Sequence, residues 1–292
     1  MIPRMCGEDA FLTSRRSLLN RFIGGLTAWT AAGRIGPVLP ACADPTTDPP
    51  DGLSGAEPRE VAAVIDGDTV ALRGGDTLRL IGIEAPKRVL APNDSGLAAL
   101  EAQAAATLHR LIGGSTLHLR YDTLRRDRYG RILAHGFAAD GTWLSAALAS
   151  AGAARVHGDG TNRRGLRSLL GLEQAARALR LGLWQHPAFA VRLADDPALG
   201  RLVGRFEIVE GKVAATAVME DRGFINFGPD RHTDLTLVLK KPALSLMQVA
   251  MIDLSRLAGR RVRCRGWLDL HDGPSMEVSH PEQIEVLEDP IP

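Results

Sequence analysis

The sequence predicts a fold that is mainly β with helices (α+β), arranged as two β-rich domains. About 230 of the 292 residues follow a segment rich in Pro and Gly, which is more chain than one small barrel needs. Stretches with apolar residues at every second position, typical of strands, alternate with stretches whose apolar residues lie three and four apart, typical of helices. Length favours two domains, and the periodicity favours strands together with helices.

The N-terminal residues 1–43 have the pattern of an export signal. Arg15-Arg16 precede a mildly apolar run, residues 22–32, and together they resemble a twin-arginine signal. The run is shorter than the roughly 20 residues of a membrane-spanning helix, so a cleavable signal fits better. Residues 39–42 resemble a lipoprotein processing box that would place a lipid anchor on Cys42, whereas the small residues around Cys42 equally suit ordinary signal peptidase and a soluble product. We expect an exported protein, periplasmic or anchored at the cell envelope. A disordered cytosolic extension is the alternative.

Residues 44–59 are predicted to form a flexible tether between this signal and the first domain. The prediction rests on three prolines and two glycines, which disfavour regular structure: Pro45, Pro49, Pro50, Gly52 and Gly55.

The first domain is predicted at residues 60–190, with four strand segments and three helices. The strand segments are residues 61–72, 77–83, 115–121 and 132–138. The helices are residues 97–111, 144–151 and 165–181. Asp66-Gly67-Asp68 interrupts the first strand segment and is typical of a hairpin turn.

The second domain is predicted at residues 203–288. Its pattern is strands at 206–219, 224–227 and 234–240, a helix at 246–257, then strands at 261–270, 276–279 and 284–287. This order resembles an oligonucleotide-binding-type (OB-type) barrel in topology only, so it carries no function by itself.

Several side chains of both domains fit a structural role as well as a functional one. Phe224, Phe227 and Trp267 suit a stacking platform, but without a basic groove beside them we favour a place in the core. Arginines 260, 261, 263 and 265 alternate along one strand, which would put three of them on one face. His135 and His157 lack metal-ligand partners at helical spacing and are expected to be structural or surface residues. Cys264 is expected to be a small core residue, since three cysteines in all imply no disulfide framework.

The charge balance differs between the two domains. Residues 60–190 hold 16 Lys and Arg against 12 Asp and Glu, whereas residues 191–292 hold 13 against 16. Because phosphate neutralisation drives most of the affinity for nucleic acid, the first domain is the expected contact surface for such a partner. Its densest basic stretch consists of Arg120, Arg125, Arg126, Arg128 and Arg131.

Three short motifs of the first domain point to a particular chemistry. They are D-G-D-T-V at residues 66–70, R-L-I-G-I-E-A-P-K at 79–87 and D-R-Y-G-R at 127–131. Carboxylates hold a hard divalent cation, and paired arginines clamp a phosphate in a bidentate fashion. Their combination suits charge stabilisation during phosphodiester cleavage.

In these motifs the chain resembles the staphylococcal-type thermonuclease family, whose pattern reads D-G-D-T-V, R-L-x-x-x-D-T-P-E and D-x-Y-G-R in this order. The resemblance covers roughly residues 60–186. It implies a closed five-stranded OB-type barrel with three helices. It also implies a metal-dependent endonuclease that acts on DNA or RNA, with single-stranded or denatured nucleic acid as substrate; no stable protein partner can be inferred.

The resemblance assigns roles to individual residues. Asp68 falls on the family's first metal carboxylate, and Glu84 on the second, where the family usually has Asp. Ala85 replaces a Thr that binds the metal through its backbone carbonyl. Arg79 and Arg131 fall on the two phosphate-binding arginines. An all-oxygen ligand set favours calcium or magnesium over zinc, and of these we expect Ca²⁺.

Lys87 stands where the family carries the Glu assigned as general base. An ammonium with an ordinary pKa of about 10.4 accepts no proton near neutral pH unless burial and positive neighbours depress its pKa by several units. Three interpretations stay open: a neutral amine base, a phosphate ligand beside a metal that supplies hydroxide, and a solvated loop lysine. Tyr129 fits either stacking on a base or sugar, or packing on the barrel.

Two classes of function follow from this pattern. The first is an extracytoplasmic, calcium-dependent nuclease, which the carboxylate pair and the two arginines favour. The second is a catalytically weak or inactive nuclease-fold module that binds nucleic acid or another anionic partner at the envelope, which Lys87 favours.

Overall fold

A computed structural model of the chain describes residues 48–87, 93–114, 116–230 and 232–287. The predicted export signal and residues 44–47 of the predicted tether lie outside these ranges. Within them, no helix has the length and apolar character needed to cross a bilayer.

The first part of the chain supplies seven strands and three helices among the described residues. The strands are β1 (Ser54–Asp66), β2 (Thr69–Leu72), β3 (Thr77–Leu80), β4 (Ile83–Glu84), β5 (Thr116–Tyr121), β6 (Ile132–Phe137) and β7 (Arg155–Val156). The helices are α1 (Ser95–Ile112), α2 (Leu144–Ser150) and α3 (Leu166–Ala178).

Five of these strands close into a barrel in the order β1-β2-β3-β6-β5. Neighbours are antiparallel except β3 and β6, which run parallel. Alternate side chains such as Leu78, Leu80, Leu117 and Leu119 are completely buried in one core, as the period of two predicts. The barrel confirms the predicted fold class.

The first strand is longer than the sequence suggests. It begins at Ser54, so the last six residues of the predicted tether, 54–59, belong to the barrel. They are fixed by backbone pairing with β5 and by an ion pair between Arg59 and Asp76 at 2.7 Å. Backbone pairing thus outweighs the low strand propensity of Gly55 and Pro58.

The second part of the chain contains eight strands and one α-helix among the described residues. The strands are β8 (Arg192–Leu193), β9 (Phe206–Lys212), β10 (Ala215–Val218), β11 (Arg222–Asn226), β12 (Thr236–Lys240), β13 (Arg261–Leu270), β14 (Pro274–Val278) and β15 (Ile284–Leu287), and the helix is α4 (Lys241–Val249). The helix ends earlier than predicted, because Met251 adopts a φ of 59° and the chain continues as a 3-10 turn at Leu254–Leu257.

The sheet of the second part has the strand order of an OB-type barrel. The path runs β10-β11-β12-β14-β13-β9-β8, and β12 and β14 pair in parallel, as β3 and β6 do in the first barrel. Strands β9 and β10 follow each other directly along the chain, and β9 pairs with β13 while β10 pairs with β11. This one segment therefore connects the two opposite sides of the sheet, as the first strand of an OB-type barrel does. Cys264 is completely buried in this core, as predicted.

The two barrels pack against each other. A mixed apolar cluster joins Leu97, Trp184 and Phe189 to Ile208 of β9. Buried polar contacts add to it, among them the pair of Arg265 on β13 with Glu173 on α3 at 2.8 Å. The described residues consequently form one compact unit.

Candidate active site

The turn between β1 and β2 places two aspartates beneath an open cleft. Asp66 ends β1, and its Oδ1 accepts a hydrogen bond from the Asp68 backbone N–H at 2.9 Å, the pattern of an Asx turn. Between them, Gly67 is required because a Cβ there would lie 2.5 Å from Ala104 and 2.7 Å from Ala85. The side chain of Asp68 is completely buried.

The Asp68 side chain accepts three hydrogen bonds. Its Oδ2 accepts from the Ala85 N–H at 2.6 Å. Its Oδ1 accepts from the Thr69 hydroxyl and from Lys87 Nζ, both at 2.9 Å. The carboxylate therefore ties the turn to the segment after β4.

Arg79 on β3 is held by carbonyls and carboxylates rather than left free. Its Nη1 donates to Leu80 O at 2.6 Å, and its Nη2 donates to Ile83 O at 2.8 Å and to Glu84 Oε2 at 2.6 Å. Its Nε lies 3.4 Å from Asp68 Oδ1. Most of the guanidinium is thus used inside the protein, which limits the phosphate contact predicted for Arg79.

Lys87 joins the two aspartates. Its Nζ lies 2.5 Å from Asp66 Oδ2 and 2.9 Å from Asp68 Oδ1, and its side chain is only 24% exposed. A solvated loop lysine would make no such contacts, so that interpretation of Lys87 is wrong. Asp66 was not among the predicted site residues, although its place in the D-G-D motif marked it.

The charges of this cluster determine its protonation. Burial alone would raise the pKa of Asp68, but Arg79 and Lys87 overcome it and lower the pKa to about 2. Burial raises the pKa of Glu84 against the opposing charge of Arg79. Burial would lower the pKa of Lys87, yet the Asp68 charge and the Asp66 hydrogen bond raise it above its ordinary value. The negative neighbours of Lys87 thus stabilise its charged form, which argues against a neutral amine base.

The third motif forms a loop tip on the cleft wall. Asp127 Oδ1 accepts from the backbone N–H groups of Tyr129 and Arg131 at 2.9 and 3.0 Å, while its Oδ2 accepts from Arg131 Nε at 2.7 Å. Gly130 supplies the φ of 81° that the turn needs. The bond to Nε fixes the Arg131 side chain, whose guanidinium carbon lies 5.6 Å from the centroid of the Tyr129 ring, and among the described residues its two Nη atoms have no hydrogen-bond partner. Arg131 is therefore oriented and available to a ligand.

An open cleft of about 740 Å³ brings most of the predicted site together. Arg79, Glu84, Lys87, Tyr129 and Arg131 all line it, with Asp68 buried below. Tyr129 is 68% exposed and stands free of the core, so packing on the barrel does not describe it.

Among the lining residues that were not predicted as site residues are two with aromatic rings, His157 and Trp267. His157, expected to be structural or a surface residue, lines the cleft; burial, with Arg79 as the next contribution, lowers its pKa to about 3, so it is neutral. Trp267 of β13, for which we favoured a core position, is 45% exposed and lines the same cleft from the second barrel. Sequence periodicity gave no signal for either, because the contact between the two barrels decides both positions.

Other predicted features have structural roles. His135 is completely buried and accepts a hydrogen bond from Trp143 Nε1 at 3.1 Å. Phe227 packs against the core of the second barrel. The arginines at alternate positions of β13 do share a face, but they are neutralised by carboxylates: Arg263 pairs with Glu210 at 2.9 Å, and Arg265 pairs with Glu173. They form no free basic surface.

A calcium ion does not fit the carboxylate cluster as it stands. Ca²⁺ takes about six to eight oxygen ligands. Among the residues that the structure describes, no group of three or more His, Cys, Asp or Glu is arranged to hold a metal. Both oxygens of Asp68 and one of Glu84 already accept from Lys87, Arg79 or the Ala85 N–H, and a divalent cation would be repelled by the two positive side chains. The metal roles of Asp68, Glu84 and Ala85 stay predictions, and this geometry weighs against them.

Comparison with known proteins agrees with the barrel and its motifs. The family model for staphylococcal nuclease homologues matches residues 77–186. A protein of Escherichia coli named an uncharacterized endonuclease is 32% identical over 127 residues, which cover 42% of this chain and 74% of the relative. A relative of the same name from Escherichia coli O157:H7 matches with the same identity and coverage. The chain belongs to the staphylococcal nuclease homologue family, with a second OB-type barrel added after its nuclease domain.

Proposed function

We propose that the protein is a nuclease that hydrolyses phosphodiester bonds of single-stranded or denatured DNA or RNA. The observation that carries the proposal is the cleft, which Lys87, Arg131 and the exposed ring of Tyr129 line together. Positive side chains in an open cleft suit a phosphodiester, and an exposed ring suits a base or sugar. The family and the two relatives named as endonucleases support the same reaction.

The test is a cleavage assay on purified protein with single-stranded DNA, double-stranded DNA and RNA. We expect Arg131→Ala to lower the rate by about 100-fold or more, and to affect the rate more than substrate binding. Arg256→Ala is the matched control, because Arg256 is an 86% exposed arginine outside the cleft. An equal loss of cleavage rate in both variants would show that Arg131 has no specific role in the reaction.

A second candidate function is a binding module without useful catalysis, acting on nucleic acid or another anionic partner. The ion pairs of Lys87 with Asp66 and Asp68 favour it, since the position of the family's general base holds a cation. Oligonucleotide binding without any cleavage by the wild-type protein would decide for this candidate.

The calcium dependence that the family resemblance implies stays a prediction. The matching experiment is the Lys87→Glu variant assayed with calcium and with a chelator. If Lys87 only replaces a lost base, the variant should cleave faster, by up to the roughly 10²- to 10⁴-fold that a positioned base contributes. If the Lys87 ammonium binds the substrate phosphate, the variant should cleave more slowly.

The site of action proposed here is outside the cytoplasm, with either a lipid anchor at Cys42 or a soluble product. The support is the Arg15-Arg16 pattern of the sequence. Replacing both arginines with lysine should leave unprocessed precursor in the cytoplasm. Mass spectrometry of the processed N-terminus distinguishes a lipidated Cys42 from an unmodified one.

A further inference from the structure

The Lys87 ammonium lies between two of the three carboxylates of the site, Asp66 and Asp68. Its nitrogen is 2.5 Å from Asp66 and 2.9 Å from Asp68. Asp68 in turn lies 3.4 Å from Arg79 Nε, and Arg79 also forms an ion pair with Glu84. A cation bound between Asp66 and Asp68 would have to occupy the volume that the ammonium fills. The amine has three donors, of which the two aspartates use two, and Lys87 also lines the cleft.

The charges of the cluster support the same conclusion. Asp66, Asp68 and Glu84 against Arg79 and Lys87 leave a net charge of −1. With Glu at position 87, as in the thermonuclease pattern, the net charge would be −3, and one divalent cation would return it to −1. Replacing Glu by Lys at position 87 therefore adds two positive charges to the site, the same number that one divalent cation would add.

We propose that the Lys87 ammonium permanently takes the cation position of this site, so that the cleft binds a nucleic-acid phosphate without a divalent metal. In this arrangement Asp66 and Asp68 orient Lys87, and Lys87 and Arg131 contact the phosphate. The phosphate part of the proposal rests on the proposed nuclease function, whereas the cation part does not.

Calcium binding tests the cation part without any substrate. The melting temperature of the wild-type protein is measured by calorimetry at increasing calcium concentration and should not change. Lys87→Gln frees the aspartates, and Lys87→Glu adds a carboxylate. Both variants should gain a calcium-dependent rise, of about 5 to 10 °C once calcium exceeds its Kd 100-fold. Lys240→Gln, which removes an exposed lysine outside the cleft, is the control and should behave as wild type.

Two results would overturn the cation part. One is a calcium-dependent stabilisation of the wild-type protein that Asp68→Asn abolishes. The other is the absence of any calcium response in both Lys87 variants, which would show that the aspartates do not form a cation position at all.

Oligonucleotide binding tests the phosphate part. Fluorescence anisotropy with a phosphorothioate oligothymidylate should give the same Kd, within twofold, in EDTA and in calcium. Lys87→Gln should weaken binding in EDTA by about tenfold or more, the effect of one charged hydrogen bond. Wild-type binding that needs calcium would refute the proposal. Absence of binding under both conditions would refute the proposed function instead, and the calorimetric result would still stand by itself.

A separate observation concerns the second barrel. Trp267 and Tyr129 are both exposed aromatic residues of the same cleft, and they come from different barrels. The Trp267 ring is held edge to face against Phe206 and His157, at centroid distances of 5.9 and 6.3 Å. Such packing fixes the orientation of the ring while almost half of the residue stays open to solvent.

We infer that Trp267 is a stacking platform for a nucleobase of the strand whose phosphate lies at Lys87 and Arg131. An aromatic ring fixed on a rigid strand beside positive side chains is the arrangement by which proteins hold unpaired bases. The second barrel would then supply one wall of the substrate site. This inference also rests on the proposed function.

Tryptophan fluorescence gives a direct readout of this contact. Among the described tryptophans, Trp143 and Trp184 are buried, so quenching by an oligonucleotide should come from Trp267. Trp267→Ala should abolish the quenching and weaken binding by about 5- to 100-fold, whereas Trp267→Tyr should retain most of the affinity. An abasic oligonucleotide of equal length should bind the wild-type protein and Trp267→Ala with the same affinity, because it offers no base to the ring. Unchanged affinity of Trp267→Ala would refute the inference, while cleavage by that variant would leave the proposed function intact.

Discussion

Arg265 on β13 makes the most deeply buried ionic contact between the two barrels, and its removal is the sharpest test of how they are held together. Its side chain is 3% exposed and that of Glu173 on α3 is 1% exposed. Arg265 Nη1 donates to both Glu173 oxygens, at 2.8 and 3.0 Å. Glu173 Oε2 also accepts the Val156 N–H at 2.5 Å, which links β7 to the same pair.

The expected effect of Arg265→Leu follows from the carboxylate that would remain buried without its partner. Glu173 would keep the Val156 N–H and a 3.4 Å contact with Arg177, but both of its oxygens would lose Arg265 Nη1. Glu285 would lose its hydrogen bond from Arg265 Nη2. Breaking such a pair on one side destabilises by about 3–5 kcal/mol, because a buried charge is left uncompensated. At roughly 2–4 °C per kcal/mol for a protein of this size, the melting temperature should fall by about 6–20 °C.

The assay is urea unfolding of Arg265→Leu, Glu173→Leu and the double variant. If the loss comes from the uncompensated charge, the double variant should be more stable than either single variant. Arg256→Leu, at an 86% exposed position, is the control and should stay within about 0.5 kcal/mol of wild type. A loss below about 1 kcal/mol for Arg265→Leu, or strictly additive losses in the double variant, would refute this reasoning.

Three further predictions concern the site and the core. Gly67→Ala should cost about 1–3 kcal/mol in urea unfolding, because its Cβ would meet Ala104 at 2.5 Å; an unchanged midpoint would contradict the close approach. Burial lowers the pKa of His135 to about 4. As the pH falls, this histidine therefore binds a proton in the unfolded chain before it does so in the folded protein. The free energy of unfolding should therefore drop between pH 6.5 and 4 by up to about 3 kcal/mol, and His135→Gln should lose that part of the pH dependence in urea titrations. Tyr129→Phe should bind oligonucleotides nearly as wild type and Tyr129→Ala more weakly in anisotropy titrations, since the ring supplies the contact; equal losses would assign the effect to the hydroxyl.

The sequence predicted the first barrel and most of its site because both are encoded locally. The period of two along β2, β3, β5 and β6 and the three motifs depend on neighbouring residues, and the cleft indeed gathers Arg79, Glu84, Lys87 and Arg131. What it did not predict depends on contacts between distant segments. The partners of Lys87 follow from the meeting of the β1–β2 turn with the segment after β4, and the exposure of Trp267 follows from where the second barrel docks.

Strand β13 has a consequence for how this chain can change in evolution. One face of this strand carries Arg263, Arg265 and Trp267, which occupy every second position. The two arginines form salt bridges, and Trp267 lines the cleft. Insertion or deletion of a single residue before Arg263 would turn all three to the opposite face at once. A single-residue shift in β13 would therefore disrupt both the packing of the second barrel and its contribution to the cleft. Homologues that keep this barrel should preserve the spacing along β13 more strictly than the lengths of the loops around it.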